Sequence, residues 1–268
     1  MKSRFLLPFR SAVPRISVLR LQGVIAAAGG RSSLGHASLA PLIEKAFRKG
    51  KPTAIALAIN SPGGSPVQSA LIGAHIRRLA DELDVPVHAF IEDVAASGGY
   101  WLAAAADDIH LDPSSITGSI GVISAGFGFH DLIARYGIER RVHTAGEDKS
   151  LLDPFRPERD EDVIRLKEIQ ARIHGAFITH VRTRRGDRLS TERDLFTGDI
   201  FVGQEAVDVG LADGIGHLEP KLRELYGDKV KLLHLSQRRP LLQRVLPGIL
   251  NEAVTGLETR ALWARYGL

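Results

Sequence analysis

The chain has 268 residues, of which 44% are apolar and 25% charged, and it contains no cysteine. That is enough chain for one large, well-packed domain with extensions, and the missing cysteines exclude a disulfide framework, thiolate catalysis and a cysteine-built metal site. The net charge is +4 and the isoelectric point about 9.5, but no zinc-ligand spacing or aromatic-basic pattern accompanies it, so nucleic acid is not an expected partner.

The first residues, M-K-S-R-F-L-L-P-F-R, turn apolar, but Pro8 and Arg10 break the stretch. It is too short for a signal-peptide core or a membrane span. Ile16–Ala28 alternates and then becomes apolar up to Gly29-Gly30, which reads as one or two short strands and a turn. Ser38–Lys49 carries Leu39, Leu42, Ile43, Ala46 and Phe47 at helical spacing. Ala54–Ile59 is an unbroken apolar run, the mark of a parallel strand buried on both faces. The turn N-S-P-G-G, Asn60–Gly64, follows it. Val67–Leu83 reads as a helix and Val85–Ile91 as a strand. A second double-glycine turn, A-S-G-G-Y-W, then holds Ser97 and opens a tight helix, Gly98–Ala106.

Ile109–Leu111 reads as a short strand and Gly118–Phe129 as glycine-rich and apolar. Asp131–Tyr136 is expected as a helix, Arg140–Thr144 as a strand, Pro157–Val181 as a long amphipathic helix, Gly203–Val209 as a further helix and Val230–Leu235 as a last strand. Arg182–Arg188 and Gln237–Arg239 are the densest basic runs. A solvated basic face is the plain reading, and an anionic membrane surface or nucleic acid the sharper one. Strand and helix alternate in the manner of an α/β domain with a parallel sheet. The expected division is an extension over 1–15, a catalytic domain over 16–235 and an amphipathic C-terminal extension over 236–268.

In a parallel sheet, ligands sit beyond the carboxyl ends of the strands, where both glycine turns fall. A helix starting after each turn exposes unpaired backbone N–H groups, and two such groups aimed at one point form an oxyanion hole. Ser97 would be the nucleophile, with the N–H of Gly98 as one donor and that of Gly64, or Gly63, as the other. The plainer reading makes Ser97 an N-cap and S-P-G-G ordinary turn chemistry. A serine nucleophile needs a base. None of the ten histidines stands in a triad frame; His88, His110 and His130 read as packed or exposed residues. Lys149 would serve if desolvated and neutral, though by composition it is a surface lysine.

N-S-P-G-G, A-S-G-G-Y-W, T-G-S-I-G-V, G-E-D-K-S-L-L-D-P-F-R-P and F-T-G-D-I-F-V-G-Q-E-A-V-D-V-G-L-A-D-G-I-G, in that order, resemble the signal peptide peptidase A family, the S49 serine peptidases in their short form. The resemblance runs from about Ile16 to Leu235. It implies a Clp/crotonase-like fold: a mixed, mostly parallel sheet with flanking helices, here with a C-terminal helical extension. It also implies a Ser–Lys dyad with Ser97 as nucleophile and Lys149 as base, an oxyanion hole at Gly64 and Gly98, and Ser119 orienting the lysine. The implied substrate is a peptide, apolar or signal-peptide-like. The implied assembly is a homo-oligomeric ring or dome. No metal and no cofactor is expected. The chain departs from membrane-anchored relatives in lacking a spanning segment, so the expected location is cytoplasmic, with peripheral contact at the inner membrane. The tail, Pro240–Leu268, is expected on a neighbouring subunit, on a membrane surface or in the cleft.

Three alternatives compete. A Clp-type Ser–His–Asp peptidase would need a histidine shortly after the serine helix, where S-S-I-T-G-S-I-G-V-I has none. An enoyl-CoA hydratase-like enzyme would need paired carboxylates, and Glu92 and Asp93 do not form that pattern. An inactive oligomeric peptide-binding scaffold would not need both Ser97 and Lys149. Asp107-Asp108 reads as a turn rather than a metal site.

Overall fold

In the computed structural model, the structure describes residues 13–27, 33–236 and 262–267, with the backbone alone at 147–148. Gly29-Gly30 and most of both predicted extensions lie outside these residues. The elements run β1 (Arg15–Gln22), α1 (His36–Arg48), β2 (Ala54–Ser61), α2 (Pro66–Leu83), β3 (Val87–Ala96), α3 (Gly98–Ala103), β4 (Asp108–Leu111), β5 (Ile116–Gly118), α4 (His130–Arg135), α5 (Asp160–Arg185), β6 (Ile200–Val202), α6 (Gln204–Asp208), β7 (Gly214–Ile215), α7 (Leu218–Tyr226) and β8 (Lys231–Leu235). They build one sheet in the order β6-β5-β3-β2-β1-β8, with β4 pairing β3 and β7. Every pairing is parallel except β5 with β6.

The apolar run of β2 explains its central place. All of its residues are buried, because helices cover both sheet faces. Ile55, Leu57 and Ile59 meet Leu39, Ile43 and Phe47 of α1 and Ile72, Ile76 and Leu79 of α2. Ala54, Ala56 and Ala58 point the other way and share a smaller cluster with Phe90 and Leu222 of α7. Small side chains on that face let α7 approach closely. α2 starts where chemistry allows: the Ser65 hydroxyl accepts from the Gln68 N–H at 3.4 Å, and Pro66 fills the first turn.

β3 changes partner halfway. His88–Ile91 pair with β4 and Val94–Ala96 with β5, and the register against β2 shifts between Ile59 and Ser61. A bulge of this kind re-aims the strand. Side chains of β5 and its approach stitch the splice: Ser115 donates to the carbonyls of Ile91 and Glu92, and Thr117 to that of Ala95 at 2.8 Å. β3 therefore runs five residues beyond the predicted strand and delivers Ser97 at its very end.

Two expectations change. Arg140–Thr144 is not a strand but irregular chain with mostly exposed residues, and it pairs with no strand among the described residues. The long helix begins at Asp160 rather than Pro157 and extends to Arg185. Its last turn is held by the buried Arg185 guanidinium, which binds Asp213 at 2.7 and 3.1 Å and donates to the Gly210 carbonyl at 2.8 Å. Between Gly121 and Pro157 the chain leaves the core as an arm. Phe129 returns against Phe155 with ring centroids 5.7 Å apart, and Arg140 covers Phe155 while pairing with Asp153.

Candidate active site

Ser97 occupies the sharp turn between β3 and α3, with φ 51° and ψ −120°. A side chain in that region costs on the order of 1–3 kcal/mol and persists only where its surroundings enforce it. Here they do. The Ser97 N–H donates to the Gly118 carbonyl at 2.9 Å, and its own carbonyl accepts from the Trp101 N–H at 3.0 Å. The hydroxyl caps nothing: it makes no side-chain hydrogen bond to the helix it precedes, unlike Ser65 ahead of α2. Ser97 is thus a half-buried hydroxyl held on a strained strand-to-helix elbow, the backbone arrangement that presents a nucleophile above a sheet.

The two glycine turns meet at this point. A Cβ on Gly98 would lie 3.4 Å from the Gly64 nitrogen, so the two amides are neighbours, and neither has an acceptor among the described residues. Gly64 has φ +139°, and a Cβ there would come within 2.1 Å of the Ile25 carbonyl oxygen. That carbonyl accepts from Ser65 while the Ile25 N–H donates to Gly63. A short parallel bridge therefore fixes the Gly64 amide, and no side chain fits. A Cβ on Gly99 would lie 2.5 Å from the Ser61 carbonyl, so glycine also lets α3 sit directly on the end of β2. The arrangement offers a hydroxyl and two free N–H donors at one spot, the geometry of acyl transfer.

A pocket opens there. It is lined by Gly64, Pro66, Ser97, Gly98, Trp101, Gly121, Val122, Ile173 and Phe177, and apart from Ser97 its side chains are apolar. Trp101 stacks on Phe177 at 5.0 Å and lies almost parallel to His180 at 4.6 Å. Burial pushes the His180 imidazole below its ordinary value, against the hydrogen bond to the Trp101 carbonyl and with help from Arg184. Sequence reading missed these lining residues. Their signal is the spacing of Ile173, His174, Phe177 and His180 on one face of α5, which reads as packing until the partner element is known.

The other site residues are placed as follows. Ser119 has φ 50° and donates its N–H to Asp199 at 2.6 Å. It directly follows the glycine that holds Ser97, and its hydroxyl lies 3.5 Å from that of Tyr266 in the C-terminal segment. Lys149 is exposed in a short 3-10 turn, Glu147–Ser150, on the arm. It does not line the Ser97 pocket, and its amine has no hydrogen bond or ion pair to another described residue.

The histidines considered from sequence lie elsewhere. His110 stacks on Phe90 at 5.6 Å, and His88 bridges Asp108 at 2.8 Å and Tyr226 at 2.6 Å, on the face covered by α7. Burial alone would raise Asp108, but hydrogen bonds from His110 and His88 hold its carboxyl well below the usual range. His130 is half-buried beside Asp131. A larger cavity of about 530 Å³ opens on the α7 side, between Phe90, Glu92, Asp112 and His217; neither glycine turn lines it. Among the described residues, no cluster of three His, Asp or Glu could hold a metal ion, and no helix is long and apolar enough to cross a membrane.

A model described as "Peptidase family S49" matches residues 80–230. Over 97% of its length the chain is 49% identical to 38% of a Brucella abortus protein named Na(+)/H(+) antiporter NhaA. Over 91% of its length it is 31% identical to 38% of the chloroplastic serine protease SPPA of Arabidopsis thaliana. The chain therefore spans about two-fifths of the length of these curated relatives. A solved structure, a serine-to-alanine mutant of the 1510-N membrane-bound stomatin-specific protease, covers 85% of this chain and is itself covered completely, with 14% identity and a TM-score of 0.51. That likeness carries the fold: the Clp/crotonase-like, mostly parallel sheet with flanking helices.

Proposed function

Because the chain belongs to peptidase family S49, we propose that it is a serine endopeptidase in which Ser97 attacks a peptide carbonyl and Lys149 is the general base. The observation that carries this reading is the convergence of the uncapped Ser97 hydroxyl with the unpaired N–H groups of Gly64 and Gly98. The amine of Lys149, neutral when desolvated, takes the hydroxyl proton. The new Ser97 Oγ–carbon bond forms, and the oxyanion rests on the two amides, each worth about 3 kcal/mol in such a site. The lysinium then protonates the leaving amine as the C–N bond breaks. The same lysine activates the water that releases the acyl group. Ser119 orients the lysine amine.

Lys149 reaches the site when the arm is covered by a second copy of the chain. Two features support this. The arm exposes Phe127 by 81% and Tyr136 by 72%, and α4 has no buried residue, so it carries apolar surface that a lone subunit leaves in water. The apolar pocket favours small apolar side chains beside the scissile bond and so apolar, signal-peptide-like substrates. The basic charge fits work beside an anionic membrane surface, and the relatives named for an antiporter and for a membrane-bound protease lend that location support.

A Ser–His–Asp mechanism is the second reading, and no histidine lines the Ser97 pocket to favour it. Treatment with a fluorophosphonate, followed by intact-mass and peptide-mass measurement, tests the proposal. One adduct on Ser97, absent from Ser97→Ala, is expected; an unlabelled Ser97 overturns it.

A further inference from the structure

The pocket beside Ser97 has two walls that are poorly anchored by their own elements. Trp101 belongs to a helix of six residues. Gly121 and Val122 follow β5, where sheet pairing has ended. Both walls are instead hung from α5. His180 Nε2–H donates to the Trp101 carbonyl at 3.0 Å, with its ring flat on the indole, tilted by 9°. His174 Nε2–H donates to the Ile120 carbonyl at 3.0 Å. Between the two histidines, Phe177 stacks on Trp101 and lines the pocket together with Ile173. The next turn continues the attachment: Arg184 donates to the carbonyls of Ala104 and Ala106 at 3.1 and 3.0 Å.

Positions 174, 177, 180 and 184 recur every three or four residues, so they share one helix face. A carbonyl can only accept, so both histidines must carry the proton on Nε2, and neither of these nitrogens is free to serve as a base toward Ser97. On the far side the indole meets Gly73 of α2, where a Cβ would lie 3.4 Å from it. Trp101 is thus held from the α2 side by van der Waals contact and from the α5 side by a ring and a hydrogen bond.

We propose that His174 and His180 are positioning residues that set the distance between the Trp101 wall and the Ile120–Val122 wall, and so decide how large a side chain enters beside the scissile bond. This rests on the reading of Ser97 as the nucleophile. Removing His180 frees the indole to rotate and lets the short helix shift at its Trp101 carbonyl. The pocket widens, and bulky side chains gain at the expense of small ones. Removing His174 relaxes the opposite wall with the same result. A purely structural role would instead lower reactivity toward all acyl groups alike.

The test measures the rate of Ser97 modification by two peptidyl diphenyl phosphonates that differ only in an alanine-like or phenylalanine-like group next to phosphorus. Wild type, His180→Ala, His180→Gln, His174→Ala and His174→Gln are compared, with thermal melts alongside. In both alanine variants the phenylalanine-to-alanine rate ratio is expected to rise roughly tenfold, the scale on which pocket size discriminates side chains. The glutamine variants keep an N–H donor and are expected to remain within about twofold of wild type. An unchanged ratio in folded His180→Ala and His174→Ala overturns the inference while Ser97 labelling in wild type leaves the nucleophile standing. If the alanine variants do not fold, His180→Phe, which keeps the stack without the donor, must raise the ratio or the inference falls. No Ser97 adduct in wild type overturns both.

Discussion

The amide of Ser97 donates to the carbonyl of Gly118 at 2.9 Å, which ties the elbow at the end of β3 to the end of β5. Through this bond the strained backbone of Ser97, the proposed nucleophile, is held by a strand that follows it in sequence, while Gly64, a proposed oxyanion donor, is held by the bridge to Ile25 that precedes it. Chain segments from both sides of the serine are therefore required to build the site.

Lys149→Ala and Lys149→Arg should each reduce turnover of a fluorogenic apolar peptide by about 10²- to 10⁴-fold, the usual contribution of a general base. Arginine should not rescue, because its guanidinium stays protonated at any working pH. Steady-state kinetics at pH 8 decide the matter, and full activity in the alanine variant would remove Lys149 from the mechanism.

The exposed arm predicts assembly. Changing Phe127 and Tyr136 together to glutamate should lower the mass seen by light scattering to that of the 29.1 kDa chain and abolish peptidase activity with it. An unchanged mass in the double variant would free the arm from any role in association.

Gly99→Ala should destabilise the protein by about 3 kcal/mol, the upper part of the range for overpacking, because its methyl group would lie 2.5 Å from the Ser61 carbonyl and both residues are buried. Urea unfolding followed by circular dichroism measures this directly. A variant as stable as wild type would mean that α3 can lift away from β2.

Arg185→Met should cost about 1–3 kcal/mol, the range for leaving a buried acceptor unsatisfied. It leaves the Gly210 carbonyl without its buried donor, while Asp213 keeps Arg188 and the Ile109 N–H. Urea unfolding measures the loss, and a variant as stable as wild type would show that Arg185 does not anchor the last turn of α5.

His180 predicts a pH effect of definite sign. Burial places its folded value below the 6.5 of a free imidazole. Below pH 6.5 the unfolded chain binds a proton that the folded chain still refuses, so stability is complete above that pH and falls as the solution is acidified, until the folded value is passed. His180→Phe should flatten the decline in unfolding free energy between pH 7 and 5. Equal slopes for the two proteins would show that His180 takes up its proton freely in the fold.

Much of the fold was legible because burial leaves a plain trace. The apolar run at Ala54–Ile59, the helical spacing of Leu39, Ile43 and Phe47, and the two double-glycine turns each announce their element. β5, β6 and β7 did not, since two or three residues are too few to show a period and form strands only because a neighbour offers hydrogen bonds. Arg140–Thr144 failed in the opposite way: it reads as a strand, but among the described residues no strand pairs with it.

For the site, local sequence determined that two double-glycine turns follow apolar runs and that the second holds Ser97 beside Gly98. Such features follow from the conformations glycine allows over a few residues. Tertiary structure alone decided that Gly64 faces Gly98, that Trp101, Val122, Ile173 and Phe177 enclose one pocket, and that two histidines of α5 hold its walls. Those relationships join residues tens of positions apart. They arise from which sheet face each helix covers, a choice made by the packing of the whole core and not by any one segment.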